Sequence, residues 1–514
     1  MDTAMAMAIV TEMALAPRRR AIAAAVAMLA AGCAQAAEWS FTPTLDLRET
    51  YTDNVRLQAQ GKSDFVTQVT PGLGVKAKGP DLTLNANVGV QETYYGNHNA
   101  GSSLLNLGRA DLKARLADNL LYLDSAASVS QQTISAFGPQ PVDNTNGGDR
   151  TSTVRTTRVS PYLSHKFGQL ASAELRYARE SVNASSGGLA SSNTDELSFK
   201  ADSGPAYHLI GWGLQASDRT THYSGQNRVA LQNIVGRLSY LLAPRLRLVG
   251  TLGHDSNDYS VTNQATSGYS WSGGVEWKVS QRTSLNASLG HKYYGNTYAL
   301  TASTRSRMAN WMLSYAEDVT TTPAQFSLPV TSDTASFLDK LLSASITDPT
   351  ARAAAVANMI RQGNLPASLD SSINSFTNTV FLQKRLQASV LLSGVRTTLL
   401  LSVFDVERQP LSNNGLGSLV GSANDHTEQL GASAVLSRRL SERVRMNGSL
   451  AATRVKSLTS GRVDNTQTLR LGLTRQLTPD VQGTVELRRN QGQSTQSGVA
   501  YRENAISAFL NMKL

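Results

Sequence analysis

The sequence predicts an all-β protein: a transmembrane, antiparallel outer-membrane β-barrel of about 22 strands, with 20 as the nearest alternative, carrying one helical insertion. Three observations point there. A period of two in hydrophobicity recurs over segments of about ten residues along nearly the whole chain. The links between segments alternate between tight turns and longer polar loops. The last segment is amphipathic to its final residue, with Ile506, Ala508, Leu510, Met512 and Leu514 on one face and Ser507, Asn511 and Lys513 on the other. A barrel needs such a strand to pair with the first and leave no edge.

Composition narrows the classes. The chain has 514 residues, 40% apolar and 17% charged, with a single Cys and a net charge of +10. A disordered chain would be richer in charge, and a disulfide scaffold needs paired Cys. The longest apolar run, Ala21 to Ala31, is shorter than the roughly 20 residues that span a bilayer as a helix.

That run reads as part of an export signal over residues 1–36. Arg18, Arg19 and Arg20 precede it, and Ala34-Gln35-Ala36 follows as a small-x-small cleavage site. Met13 is an alternative start, and Leu29-Ala30-Ala31-Gly32-Cys33 offers a lipoprotein-type alternative in which Cys33 is acylated. The barrel would occupy 37–514, in the outer membrane of a Gram-negative cell.

The clearest alternation sets Leu82, Leu84, Ala86, Val88 and Val90 against Thr83, Asn85, Asn87 and Gly89. Tyr269, Trp271, Gly273, Val275, Trp277 and Val279 repeat it, as do Leu382, Leu386, Ala388, Val390 and Leu392, with Lys384 interrupting the last row. Other strands are expected at 41–51, 65–77, 105–117, 120–132, 154–167, 169–182, 194–204, 207–222, 230–242, 245–258, 282–297, 304–317, 396–408, 426–439, 442–456, 465–477, 480–492 and 502–514. Short links such as Lys78-Gly79-Pro80, Ala117-Asp118-Asn119, Ala243-Pro244 and Thr478-Pro479-Asp480 mark one rim. Long ones such as Gly138 to Asp149, Ser185 to Asn193 and Gln409 to Asp425 mark the other.

Residues 331–375 break the pattern. Asp348 as N-cap, Pro349 at the first helical position and Gly363 beyond Arg361 describe a helix. With a periplasmic N-terminus, parity makes 304–317 and 377–392 both descend, so one ascending strand must stand between them. Ala324 to Val330 is the candidate, although Pro323 and Pro329 suit a strand poorly. The insertion then falls on the extracellular side as a lid or plug, which a barrel this wide calls for.

No catalytic, cofactor or metal motif is present, and the protein is not expected to be an enzyme. The seven His (98, 165, 208, 222, 254, 291 and 426) show no ligand spacing. His254, Asp255 and Asp258 read as rim residues, with a small site as the alternative. A soluble sandwich, solenoid or propeller and an outer-membrane hydrolase assembled across strands are the competing classes. The inward polar rows carry basic residues: Arg109, Lys113, Arg115, Arg176, Arg245, Arg247, Arg443, Arg445, Arg470 and Arg488. They could lower the barrier for an anionic polymer; alternatively, acids on neighbouring strands neutralise them. Tyr94-Tyr95, Tyr122, Trp271, Trp277, Tyr293-Tyr294 and Trp311 suit the headgroup level. The Asp53-Asn54 pair suits a side-chain-to-backbone turn.

Several segments resemble the outer-membrane β-barrel proteins of the PEP-CTERM/exosortase sorting system, found with exopolysaccharide gene clusters. They are Trp39-Ser40-Phe41-Thr42-Pro43, Arg48-Glu49-Thr50-Tyr51-Thr52-Asp53-Asn54-Val55, Ser63-Asp64-Phe65, Thr70-Pro71-Gly72, Ile134-Ser135-Ala136-Phe137-Gly138-Pro139 and Glu174-Leu175-Arg176-Tyr177. Asp348-Pro349-Thr350-Ala351-Arg352 and Asn378-Thr379-Val380-Phe381-Leu382-Gln383-Lys384 continue it. The resemblance implies location and pathway rather than a reaction. The expected role is a channel or assembly component exporting polysaccharide or sorted surface proteins, with a non-conducting, polymer-binding surface barrel as the alternative. The expected partners are outer-membrane lipid and lipopolysaccharide, anionic exopolysaccharide or PEP-CTERM sorted proteins, and the barrel-assembly machinery through the last strand. No cofactor and no nucleic acid are expected.

Overall fold

The alternation folds into one sheet closed on itself. The computed structural model describes residues 37–97, 101–146, 150–186, 188–225, 228–259, 266–327, 339, 352, 377–412 and 425–514. The expected signal, 1–36, lies outside them. The strands are β1 (Glu38–Thr52), β2 (Asp64–Lys78), β3 (Leu82–Tyr95), β4 (Ser103–Ala117), β5 (Leu121–Thr133), β6 (Thr151–Phe167) and β7 (Ala171–Ala184). Next come β8 (Ser192–Ser203), β9 (Ile210–Tyr223), β10 (Val229–Ala243), β11 (Leu246–Asp258), β12 (Ser267–Ser280), β13 (Thr283–Lys292), β14 (Gly295–Arg305) and β15 (Ala309–Thr321). A short helix, α1 (Thr322–Ser327), follows β15. The wall is completed by β16 (Val380–Ser393), β17 (Thr397–Pro410), β18 (Thr427–Arg439), β19 (Val444–Ser457), β20 (Val463–Gln476), β21 (Val481–Ser494) and β22 (Tyr501–Lys513).

Each strand pairs antiparallel with its sequence neighbours, and β1 pairs with β22 from Thr44↔Lys513 to Thr52↔Ala505. This 22-stranded closure excludes the open sandwich and propeller. Its reason is local: period-two rows place one face of every strand outward, and closure leaves no unpaired edge. On β20, Leu469, Leu471 and Leu473 are 40%, 49% and 49% exposed on the outside, while Thr468, Arg470 and Thr474 point inward. On β22, Ile506 and Leu510 face out, while Ser507 is buried inside against Thr50 of β1 at 2.8 Å. An apolar belt of this extent costs about 25 cal/mol per Å² in water and none in hydrocarbon, so the outer surface requires a membrane. The architecture is that of an outer-membrane barrel.

The strand total agrees with the sequence reading because two departures cancel. Residues 282–297 are two strands, β13 and β14, joined at Tyr293-Tyr294. Gly295 at φ +123 makes this two-residue turn possible on the rim otherwise given to long loops. The turn after β14 is Ser306 to Met308, closed by Ser306 N donating to Ala309 O at 2.7 Å. Residues 309–321 therefore run opposite to the expected direction of 304–317. Of the expected strand 324–330, residues 324–327 belong to α1 and 328–330 lie outside the described residues; Pro323 sits in the first turn of α1, where no N–H is needed. The expected helical insertion, 331–375, lies outside the described residues except Asp339 and Arg352, which are helical and ion-paired at 2.7 Å.

The rows also sort the aromatics. Trp271, Trp277, Trp311 and Tyr94 face outward and are exposed. Tyr95 instead faces inward and is buried, and Tyr122 stacks inside on Tyr162 at 5.1 Å between centroids. Asp53 and Asn54 tie the first strand to the last. Asn504 donates its backbone N–H and Nδ2 to the two carboxylate oxygens of Asp53 at 2.7 and 2.8 Å. Asn54 Nδ2 donates to the carbonyls of Gln58 and Arg502 at 2.7 and 2.9 Å, while its Oδ1 accepts from Gln58 N at 2.9 Å. This is the side-chain turn expected of the pair, extended across the barrel seam.

Candidate functional site: the loop inside the lumen

The loop between β5 and β6 folds inward instead of standing on the rim. Its start continues the hairpin, with Ile134 N donating to Arg150 O at 3.0 Å. Gly138 then takes φ +88, a left-handed conformation, and a Cβ there would lie 2.1 Å from Arg150 Nη1. Phe137 is buried against Val455 of β19, with the Arg462 guanidinium 5.0 Å from its ring centroid. Backbone groups dock next: Gly138 N donates to Asp464 Oδ2 at 2.6 Å and Gln140 N to Tyr501 Oη at 3.2 Å. Asn490 Nδ2 donates to Gln140 O at 3.1 Å. Asn144 Nδ2 reaches Gln91 of β3, and Asn146 Nδ2 reaches Glu503 of β22, both at 2.8 Å.

Asp143 stands at the tip. Its Oδ2 lies 2.5 Å from Arg488 Nη1 of β21, 2.6 Å from Arg48 Nη2 of β1 and 3.6 Å from Arg470 Nη2 of β20. Thr145 donates its backbone N–H to Oδ1 at 3.0 Å, and its hydroxyl also bonds Asp143. Burial alone would push the Asp143 carboxyl up, but the guanidinium groups of Arg488, Arg48 and Arg470 and the Thr145 hydroxyl hold it well below the usual carboxylate range. The loop is thereby latched to the inner wall at residues within β1, β20 and β21.

A second element closes in from the opposite side. Phe326 of α1 packs with Ile134 on Val154, Val182 and Leu189 of the β6–β7 region. Gln325 Oε1 accepts from Arg408 of β17 at 3.3 Å. Ahead of β16, Asn378 Nδ2 donates to Gly188 O and its Oδ1 accepts from Ala190 N, both at 2.9 Å. Among the described residues, 134–146 and α1 thus enter the lumen, while the helical insertion expected as a lid or plug, 331–375, lies outside them apart from Asp339 and Arg352.

The basic residues singled out in the sequence divide into three groups. Arg470 and Arg488 hold the loop. Arg109, Lys113, Arg115, Arg176, Arg247 and Arg445 lie on the inner wall, and Arg109, Arg115 and Arg176 pair with acids. Arg109 pairs with Asp111 at 2.8 Å, Arg115 with Asp81, and with Asp118 at 3.2 Å. Arg176 pairs with Glu174 and Asp124 at 2.9 and 3.0 Å and lies 3.8 Å from the centroid of Tyr162. Lys113 faces Asp124 in register, Arg247 donates to Ser239 at 3.0 Å, and Arg445 stands opposite Arg439. Arg245 and Arg443 lie in turns below the wall rather than on it.

Sequence reasoning missed Arg48, Asp143 and Glu503, and also Glu180, which is buried between Arg158 and Arg219. Arg48 was visible in the inward row of β1; Asp143 has no local signal, because its partners are remote in sequence. His254, Asp255 and Asp258 do not converge: His254 packs outside against Tyr269, the rings tilted by 56° with centroids 4.9 Å apart, Asp255 faces inward, and Asp258 pairs with Arg228 at 3.4 Å. Among the described residues no three His, Cys, Asp or Glu side chains form a metal-binding group. A concavity of about 840 Å³ lies in the outer apolar belt, lined by Ala302, Ala388, Ala432 and Ala434 beside Trp311 and Leu401. It presents no charged group to a solute.

No family model and no curated protein matches the chain. Solved structures do. The FrpB iron transporter of Neisseria meningitidis is 8% identical with a TM-score of 0.50, over 92% of this chain and 81% of that one. A ferric enterobactin receptor (PfeA) mutant of Pseudomonas aeruginosa in complex with enterobactin is 10% identical, with a TM-score of 0.47 and coverages of 92% and 81%. OccK2 (OpdF) of the same organism is 8% identical, with a TM-score of 0.35 and coverages of 92% and 98%. At this identity the likeness to FrpB concerns the barrel fold alone.

Proposed function

We propose that this barrel is a gated outer-membrane channel for an anionic polymer, the exopolysaccharide of a PEP-CTERM/exosortase system, with the 134–150 loop as its gate. The observation carrying the reading is the latch: a loop carboxylate held by three wall guanidinium groups, Arg48, Arg470 and Arg488, part-way down the lumen. A loop that served only to plug a wide barrel could be packed with apolar groups. Charge pairing in a partly wet interior is a contact that ions and charged solutes can exchange. The resemblance of the β1 and β5–β6 segments supplies the pathway.

The test is single-channel conductance of the refolded mature protein in planar bilayers, native against a variant in which residues 136–146 are replaced by a short Gly-Ser link. The proposal expects small native openings, a several-fold larger conductance without the loop, and preference for anions at low salt. Identical conductance in the two folded proteins would remove the loop from any gating role. A second reading, a non-conducting barrel that binds polymer at its mouth, is favoured by the bridge from Asn378 to Gly188 and Ala190. It expects silence in both.

A further inference from the structure

We infer that Arg48, Arg470 and Arg488 form an oxyanion-binding site, that Asp143 is its built-in occupant, and that a carboxylate or phosphate group on the solute takes the same place when the loop leaves. The inference rests on the channel reading above and deepens it by naming the chemistry the lumen recognises.

The site is built to persist without Asp143. Arg48 is fixed by its Nε donating to Thr50 Oγ1 at 3.2 Å and by the Phe509 ring, whose centroid lies 4.4 Å from its guanidinium carbon. Arg488, 1% exposed, is fixed by Nη2 donating to Glu503 Oε1 at 2.7 Å. Arg470 has one hydrogen bond that travels with the loop, to Val142 O at 3.3 Å. The Nε groups of both Arg470 and Arg488 are buried donors without a hydrogen-bond partner among the described residues. Three carboxylates share this part of the wall: Glu503 on Arg488, Glu486 one inward position below Arg488, and Asp46 one inward position below Arg48, where it accepts from Asn511 Nδ2 at 2.7 Å. None of them is ion-paired with Arg48 or Arg470 among the described residues. Departure of Asp143 therefore leaves two guanidinium groups without a carboxylate and a third only half-satisfied. Planar guanidinium forks match carboxylate and phosphate oxygens, and burying unpaired cations is costly, so the vacated site draws in the next oxyanion. A solute anion and Asp143 compete for the same donors, and occupancy by the solute holds the loop out.

Calorimetry on the refolded mature barrel in detergent tests this without requiring conduction. The titrants are inorganic phosphate and a trigalacturonate, with neutral maltotriose as control. Asp143→Asn should bind at least one anion about tenfold more tightly than the native protein, a step set by loss of the competing charge. Adding Arg48→Gln and Arg470→Gln to that variant should abolish the gain. Trigalacturonate binding alone would identify a carboxylate-bearing polymer, and phosphate binding alone a phosphorylated one. Should Asp143→Asn not fold, Ala136→Cys in the otherwise native loop serves instead. Ala136 is 2% exposed, so maleimide labelling should accelerate with anion and not with maltotriose. Unchanged affinity in a folded Asp143→Asn protein, or labelling indifferent to anions, overturns the site. If loop removal opens the channel while the affinity stays flat, the channel reading survives and the site falls. An affinity gain in a barrel silent with and without its loop supports the site and discards the channel.

Discussion

Asp143 Oδ2 and Arg488 Nη1, 345 residues apart in sequence, meet at 2.5 Å inside the barrel. The contact joins a loop from one side of the lumen to a strand on the other, and it turns an otherwise ordinary rim loop into an internal constriction. Removing the charge with Asp143→Asn should raise conductance several-fold in bilayers while leaving the heat-modifiable electrophoretic mobility of the folded barrel intact.

The same carboxyl sets the pH response. Its folded-state pKa lies well below the unfolded carboxylate value near 3.9, so the latch is fully present above that value and is lost as pH falls through the lowered one. Conductance should therefore stay flat from about pH 8 to about pH 5. Opening between about pH 5 and pH 6 would point to a different controlling group.

Asn54 binds the first strand to the last. It is 2% exposed and its side chain makes three hydrogen bonds, two with Gln58 and one with Arg502. Asn54→Ala should lower the folding free energy by roughly 1–3 kcal/mol, read as a shift in the guanidinium midpoint in lipid vesicles. The Asp53 contacts to Asn504 stay in place, so the barrel should still close.

The two faces of β20 predict opposite tolerances. Leu471 lies in the middle of the outward row Leu469, Leu471, Leu473, and Leu471→Arg should destabilise the folded protein by about 2–4 kcal/mol in a bilayer. Thr468→Arg, on the inward row of the same strand, should cost far less because that face is polar. Equal losses would mean the face assignment is reversed.

Strand direction near α1 has its own test. Arg307, in the turn between β14 and β15, should label as a cysteine from the same side of the membrane as Asp118, and from the side opposite Ser224. If β13 and β14 were one strand, the chain near Arg307 would lead away from the rim opposite Asp118, and the pattern would differ.

Much of this was legible in the sequence. The rows of β3, β12, β20 and β22 read correctly because alternation is a local property: each residue's face follows from its neighbour's. The Tyr293-Tyr294 turn was hidden because apolar residues continue the pattern through it and only Gly295 marks the reversal. The segment 324–330 was misread because a parity count demanded a strand there, whereas Pro323 already favoured the first turn of a helix.

The sequence by itself determined the barrel class, the membrane-facing belt and the side-chain turn at Asp53-Asn54. These depend on a period of two and on turn chemistry, which act over a few residues. Only the tertiary structure decided which arginines meet acids on the wall and which hold a loop, that residues 134–146 enter the lumen, and that Arg48 joins them. Those outcomes depend on strands brought together by closure of the whole sheet, and no periodicity records which loop carboxylate will meet which wall cation across a lumen.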